Sequence, residues 1–189
     1  MKPFHLVVPS MASLIISVGA IAASQTLYPT EDIHIADVGI IPVGTPMQEL
    51  ENHQGKLEVE ISGVQPVADT RAIFMSDSQR ILLAALLPQA SDQLQVGSSY
   101  TDAYGNQWRH VSLTTTVPDQ VVDSQQPLWQ QASQLRDKAC AVCHAAPEPS
   151  QLTVNAWPAT IRSMGSRTAL SQQQLHLLTA FFQYHAIHQ

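Results

Sequence analysis

Cys140-Ala141-Val142-Cys143-His144 has the spacing C-x-x-C-H, the attachment signal for a c-type haem. Two thiols at this spacing add across the haem vinyl groups, and the histidine after the second cysteine is placed to bind the iron. Cys140 and Cys143 are the only cysteines in the 189 residues, so no other thiol competes for a disulfide or a second haem. Two other chemistries use the same pair. A thioredoxin-type redox disulfide belongs to a βαβ pattern, whereas the flanks here are helical before Cys140 and proline-rich after His144. A zinc site needs three or four protein ligands, and no second Cys/His pair follows at a suitable spacing.

Working outward, residues 124–189 read as the module that carries the motif. Pro127 suits a first helical turn, and Leu128, Trp129, Ala132 and Leu135 form an apolar stripe at helical spacing. That helix delivers Cys140. Downstream, Ser171 and Gln174 form a capping box, Leu170 and Leu175 a hydrophobic staple, and Leu175, Leu178 and Phe182 line one face of a last helix. Two such helices packed over a haem make an all-α, class-I-like cytochrome c domain. Met164 lies 20 residues after His144 and is the one methionine of this module. It is the candidate for the second axial iron position, where a thioether opposite imidazole raises the potential. A core-filling methionine is the alternative. His176, His185 and His188 are rival ligands on or beyond the last helix. Trp157 is placed either to pack on the haem edge and hydrogen-bond a propionate or to fill the core. Arg162 and Arg167 flank Met164 as candidate propionate partners or a basic docking rim.

Residues 55–123 read as a small all-β module. Leu57, Val59 and Ile61 alternate with Lys56, Glu58 and Glu60, the period of a half-buried strand. Further strands are expected over Arg71–Met75, Gln79–Leu87 and Gln107–Thr116, with a turn at Tyr104-Gly105-Asn106. About five short strands point to a small barrel or curled sheet. Residues 24–54 contain three prolines, five acids and no Lys or Arg, the composition of a linker; a piece near Asp37–Ile41 is placed to add an edge strand. Residues 1–23 hold one Lys and then an uncharged apolar run from Leu6 to Ala23, with Ala20-Ile21-Ala22 in the form of a signal-peptidase site. A cleaved signal and a retained membrane anchor are both open, and both export the remainder to the periplasm. The expected fold class is therefore α+β, a barrel-like module followed by the all-α cytochrome domain behind an export signal or anchor.

The net charge of −6 excludes a general nucleic-acid binder, which needs a basic face. Its distribution is uneven. Residues 24–125 carry 13 acidic and four basic residues, whereas residues 126–189 carry two acidic and four basic ones. The acidity belongs to the first part, and the haem module is mildly basic.

Gly55 to His188 resembles the carboxyl-terminal part of TorC-type pentahaem cytochromes, which serve trimethylamine-N-oxide and related S- or N-oxide respiration. The matching features are Lys56-Leu57-Glu58-Val59-Glu60, the run Arg80–Leu86, Trp108 with His110-Val111-Ser112-Leu113, Leu128-Trp129, and the block Cys140–Pro149 with Asn155, Trp157 and Met164. The resemblance covers about 70% of the chain. It implies that Cys140 and Cys143 hold haem c and that His144 and Met164 ligate its iron. It also implies a periplasmic molybdenum-cofactor oxide reductase as electron acceptor. TorC-like proteins carry a membrane-anchored tetrahaem domain ahead of this region, where this chain has a leader, a linker and no further C-x-x-C-H. A tetrahaem quinol dehydrogenase or another cytochrome is then expected as donor. Electron transfer without substrate chemistry is the expected role. Two other classes stay open: a haem sensor or peroxidase-like enzyme, if Met164 leaves the iron, and an assembly subunit that recruits a reductase.

Overall fold

The alternation Leu57-Glu58-Val59-Glu60-Ile61 forms the centre of an antiparallel sheet, with the three apolar side chains buried and Glu58 and Glu60 turned outward. The computed structural model describes residues 25–187; the expected export signal or anchor (1–23) and His188 lie outside the described residues. Among the described residues the strands are β1 (Thr26–Pro29), β2 (Ile33–Ile35), β3 (Gly39–Ile41), β4 (Met47–His53), β5 (Lys56–Pro66), β6 (Ala72–Phe74), β7 (Leu82–Leu86), β8 (Leu94–Thr101), β9 (Gln107–Pro118) and β10 (Val121–Val122). Three α-helices follow: α1 (Gln126–Ala139), α2 (Trp157–Gly165) and α3 (Gln172–Tyr184).

All pairings between these strands are antiparallel, and β5 is their hub. It runs against β9 over its full length, from Lys56↔Pro118 to Pro66↔Trp108. Along its other edge it pairs first with β4 and then, at Val64↔Phe74, with β6. Gly63 sits at that exchange, where a Cβ would stand 2.4 Å from the Phe74 carbonyl oxygen. The missing side chain lets β6 close in, and the sheet curls. From β6 the order continues through β7 and β3 to β2, while β4 leads to β1 and β10.

Two sequence expectations are corrected here. The segment expected as a linker, 24–54, contains four strands. The expected division into a small β-module and a self-contained all-α, class-I-like cytochrome domain is also replaced. The chain is predominantly one curled antiparallel sheet, with a few helices packed against it. The reason is burial. Helices of 14, 9 and 13 residues expose more apolar stripe than they can cover among themselves. Leu128, Ala132, Trp157, Ile161, Leu178 and Phe182 therefore share a core with Val43 and Ile81 from the strand region, with Tyr28, Met75 and Val122 packed against it. A second core, of Ile41, Met47, Val59, Ile61, Ile73, Leu83 and Leu113, fills the curl of the sheet.

Polar contacts pin the helical part to the strands. The Asn155 side chain accepts from the Arg80 amide at 2.9 Å and donates to the Ser78 carbonyl at 2.7 Å, so one amide closes the seam from both sides. Asn155→Ala is expected to cost about 1–2 kcal/mol, read as a lower urea midpoint at unchanged slope. An unchanged midpoint would remove the seam.

The β8–β9 turn is organised by Asp102, whose carboxylate accepts from the Tyr104 and Asn106 amides, the Asn106 side chain and the Trp108 indole at 2.8–2.9 Å. The Asn106 side-chain bond leads the causes that lower its pKa from the ordinary 3.8 to about 2. A lowered carboxylate pKa gives stability that is full above the unfolded value and lost as pH falls through the folded one. Asp102 therefore stabilises the turn above about pH 4, and the contribution disappears toward pH 2. The melting-temperature gap between wild type and Asp102→Asn is expected to narrow across that window. A gap independent of pH would contradict this role.

Candidate haem-binding site

The cysteine pair begins where α1 ends. Leu128 and Ala132 face the shared core, and the Cys140 amide makes the last helical bond, to the Arg136 carbonyl at 2.8 Å. The chain then leaves as a turn, so Cys140 is half-buried and Cys143 exposed, both as free thiols. Burial pushes the Cys140 thiol up, with Arg136 opposing and Asp137 reinforcing the shift; the thiol is held neutral. Arg136 braces the loop that follows. Its guanidinium pairs with Asp137 and, across the motif, with Glu148, each at 2.9 Å.

His144 is exposed, and its Nδ1 lies 2.7 Å from the Ala145 carbonyl oxygen. A carbonyl only accepts, so Nδ1 carries the proton. In the neutral ring this leaves the Nε2 lone pair for a metal and fixes the ring plane, the usual arrangement of a ligating imidazole.

Met164 comes from the last turn of α2. Trp157 anchors the start of that helix: it is fully buried, packs on Phe182 at 4.2 Å between ring centroids, and donates its indole N–H to the Pro149 carbonyl at 2.9 Å. At the other end Gly165 lets α2 approach α3, since a Cβ there would lie 2.5 Å from Leu175 Cδ2. The capping box at the start of α3 forms as its spacing predicts, with Gln174 N–H donating to Ser171 Oγ at 3.2 Å and Ser171 N–H to Gln174 Oε1 at 2.9 Å.

These pieces enclose one mostly apolar cleft of about 570 Å³, lined by Cys140, Cys143, His144, Met164, Arg167 and Gln174 together with Val142, Leu170 and neighbouring backbone. The volume lies within the roughly 300–1,000 Å³ usual for cofactor sites. Two thiols, an imidazole with its Nε2 available, a thioether and apolar walls are the donor set of a haem c. The residues fit the group.

The other sequence candidates stand elsewhere. Trp157 does not line the cleft, and its N–H is committed to Pro149. Arg162 is exposed and off the cleft, whereas Arg167 lies on it. His176 pairs with Asp32, and His185 donates to the Phe181 carbonyl at 2.8 Å; neither lines the cleft. Met47 is sealed in the sheet core and Met75 packs between the two cores. Among the described residues no three His, Cys, Asp or Glu side chains gather as metal ligands. Sequence reasoning missed Gln174 as a lining residue and the Arg136–Glu148 brace. The capping box was the available signal for the first. The second joins positions 12 apart across a turn and has no local signal.

Three comparisons place the chain among known proteins. The TorC third cytochrome c domain family matches residues 20–122, more than half of the sequence. The chain is 34% identical to the cytochrome c-type protein TorY of Escherichia coli O157:H7 over 161 residues, 85% of this chain and 44% of that protein. A stretch that long necessarily includes Cys140–His144. It is 25% identical to TorY of Haemophilus influenzae over 89% of this chain and 47% of that protein. It is 26% identical to the cytochrome c-type protein TorC of Escherichia coli O157:H7 over 86% and 42%. The chain thus spans less than half the length of these relatives. No solved structure matches it. By the match over its strand region, the chain belongs to the TorC third cytochrome c domain family.

Proposed function

We propose that the chain is a monohaem c-type cytochrome facing the periplasm, which carries single electrons and performs no substrate chemistry of its own. Its acceptor is a molybdenum-cofactor N- or S-oxide reductase of the trimethylamine-N-oxide type. Its donor is a quinol-linked tetrahaem or other cytochrome. The observation that carries this reading is the gathering of Cys140, Cys143, His144 and Met164 along one apolar cleft. Cys140 and Cys143 would hold haem c covalently, and His144 Nε2 and the Met164 thioether would bind its iron. Bound there, the haem supplies one-electron exchange between ferrous and ferric iron.

The protein's own residues then have defined tasks. The Ala145 carbonyl orients the His144 ring and strengthens it as a donor. Leu170 and the other apolar walls keep water from the iron. Arg167 places a positive charge on the cleft, which Val142, 79% exposed, also lines. An exposed apolar side chain and a basic group lining one cleft suit a transient partner whose docking surface is acidic. The acidic strand region is read as the scaffold and a separate docking surface.

The test is to reduce the purified, haem-loaded protein and add an N-oxide reductase with its oxide substrate. Reoxidation that requires both additions is the expected result. Reoxidation by neither would discard the acceptor. A haem iron that reacts with peroxide or binds carbon monoxide in the untreated protein would bring the enzyme or sensor reading forward.

A further inference from the structure

Helix α3 has a second lined face. Gln174 borders the haem cleft, and His176 stands about 200° further round the helix. His176, Ala180 and Gln183 border a separate cleft of about 190 Å³ between α3 and the strands β3 and β7. Its walls are apolar, built chiefly from Ile40, Val43 and Ile81 with Ala180 opposite. A cavity of about 150 Å³ is enough for one benzene, so this space takes a molecule of roughly five to seven heavy atoms.

The polar groups in it share one character. Thr45 is fully buried, and its hydroxyl proton goes to the Leu83 carbonyl at 3.3 Å, leaving its lone pairs to accept. Gln183 is 5% exposed and spends Nε2 on the Val154 carbonyl at 3.2 Å; among the described residues its Oε1 has no hydrogen-bond partner. No fully buried side-chain polar atom among the described residues lacks a partner. The Gln183 Oε1 must therefore be reached from open space, and the cleft is the space that Gln183 borders. At the mouth the Asp32 carboxylate accepts the Val43 amide at 3.0 Å and pairs with His176. Tyr184 adds an aromatic ring, its hydroxyl donating to the Gly44 carbonyl at 3.4 Å. No Lys or Arg lines the cleft.

Acceptors and a carboxylate inside apolar walls complement one kind of guest: a donor carrying positive charge on a small hydrocarbon body. The geometry points to a binding site for a small alkylammonium ion in this cleft, separated from the haem cleft by the width of α3. The ammonium donates to Gln183 Oε1 and Thr45 Oγ1 with Asp32 as counter-charge, and the alkyl group fills the space against Ile40 and Ala180. The site stands on its own lining and does not depend on how the haem is ligated.

The test titrates the haem-loaded full chain with isobutylammonium chloride at fixed ionic strength, following amide shifts by NMR, with isobutanol as the neutral isostere. Saturable shifts confined to the cleft are expected, with isobutanol binding at least tenfold more weakly. Asp32→Asn is expected to weaken isobutylammonium binding tenfold or more, and Ala180→Phe, which fills the space, to abolish it. An unchanged haem spectrum serves as the control for folding. Absence of saturable binding, equal affinity for isobutanol, or an Asp32→Asn protein that binds like wild type would each overturn the site. The comparison of amine with alcohol needs no variant, so it decides even if one of them fails to fold.

Discussion

Met164→Ala is expected to convert a low-spin haem protein into one that is at least partly high-spin and binds carbon monoxide. Met164 lies at the end of α2, where Gly165 permits contact with Leu175 of α3, and it is the methionine on the cleft that holds Cys140, Cys143 and His144. Neither His176 nor His185 lines that cleft, so no described histidine is poised to replace the thioether. Loss of a thioether ligand lowers the reduction potential, because sulfur favours ferrous iron. Axial ligation spans about 0.8 V across haem proteins, and a fall on the order of 0.1 V or more is expected here. Met164 is only partly buried, so the protein should remain folded and the result should be readable. A variant with wild-type spectrum and potential would show that Met164 is a packing residue.

Gly39→Ala is expected to produce the largest loss of stability. Gly39 has φ = +131°, and a Cβ built there stands 2.1 Å from the Ala85 carbonyl oxygen. Both problems sit where β3 joins β7, through Gly39↔Leu86 and Ile40↔Ala85. A side chain would push β3 off β7 and take β2 with it, since among the described residues β2 pairs only with β3. Backbone strain of about 1–3 kcal/mol adds to overpacking of about 1–3 kcal/mol. The sum, about 2–6 kcal/mol, is a large part of the roughly 5–15 kcal/mol that holds a domain together. Urea unfolding measures it. A loss below about 1 kcal/mol would place β3 elsewhere than against β7.

The residues show why some of this structure can be read from the sequence and some cannot. Leu57, Val59 and Ile61 declare their strand because one face is buried and the other wet over many residues. The stripe of α1 and the Ser171–Gln174 box are legible for the same kind of reason, being periodic or local. β1 and β2 are four and three residues long, too short for alternation to register, while β3 falls on the strand expected near Asp37–Ile41 but lies between β7 and β2 rather than at an edge. β4 mixes Glu49, Leu50 and Glu51 across a register shift, and Leu50 is 47% exposed. β8 is interrupted by a bulge between Val96 and Ser99 and is largely solvent-facing. Over residues 24–54, proline and acid content imitate a linker. The joining of helices to sheet is illegible for another reason: Val43 and Ile81 enter the helical core from positions far along the chain. The motif at Cys140–His144 announces its chemistry directly. The side of Trp157 that faces Pro149 rather than the cleft depends on packing that no local pattern encodes.

The most direct measurement is the optical spectrum of the protein purified after periplasmic expression, oxidised and reduced, with and without carbon monoxide. The expected result is a covalently bound, low-spin c-type haem with the far-red band of methionine–iron ligation in the oxidised form and no response to the gas. A protein without covalent haem would contradict the reading of Cys140 and Cys143. A high-spin spectrum that shifts with carbon monoxide would remove Met164 from the iron and, with it, the simple electron carrier.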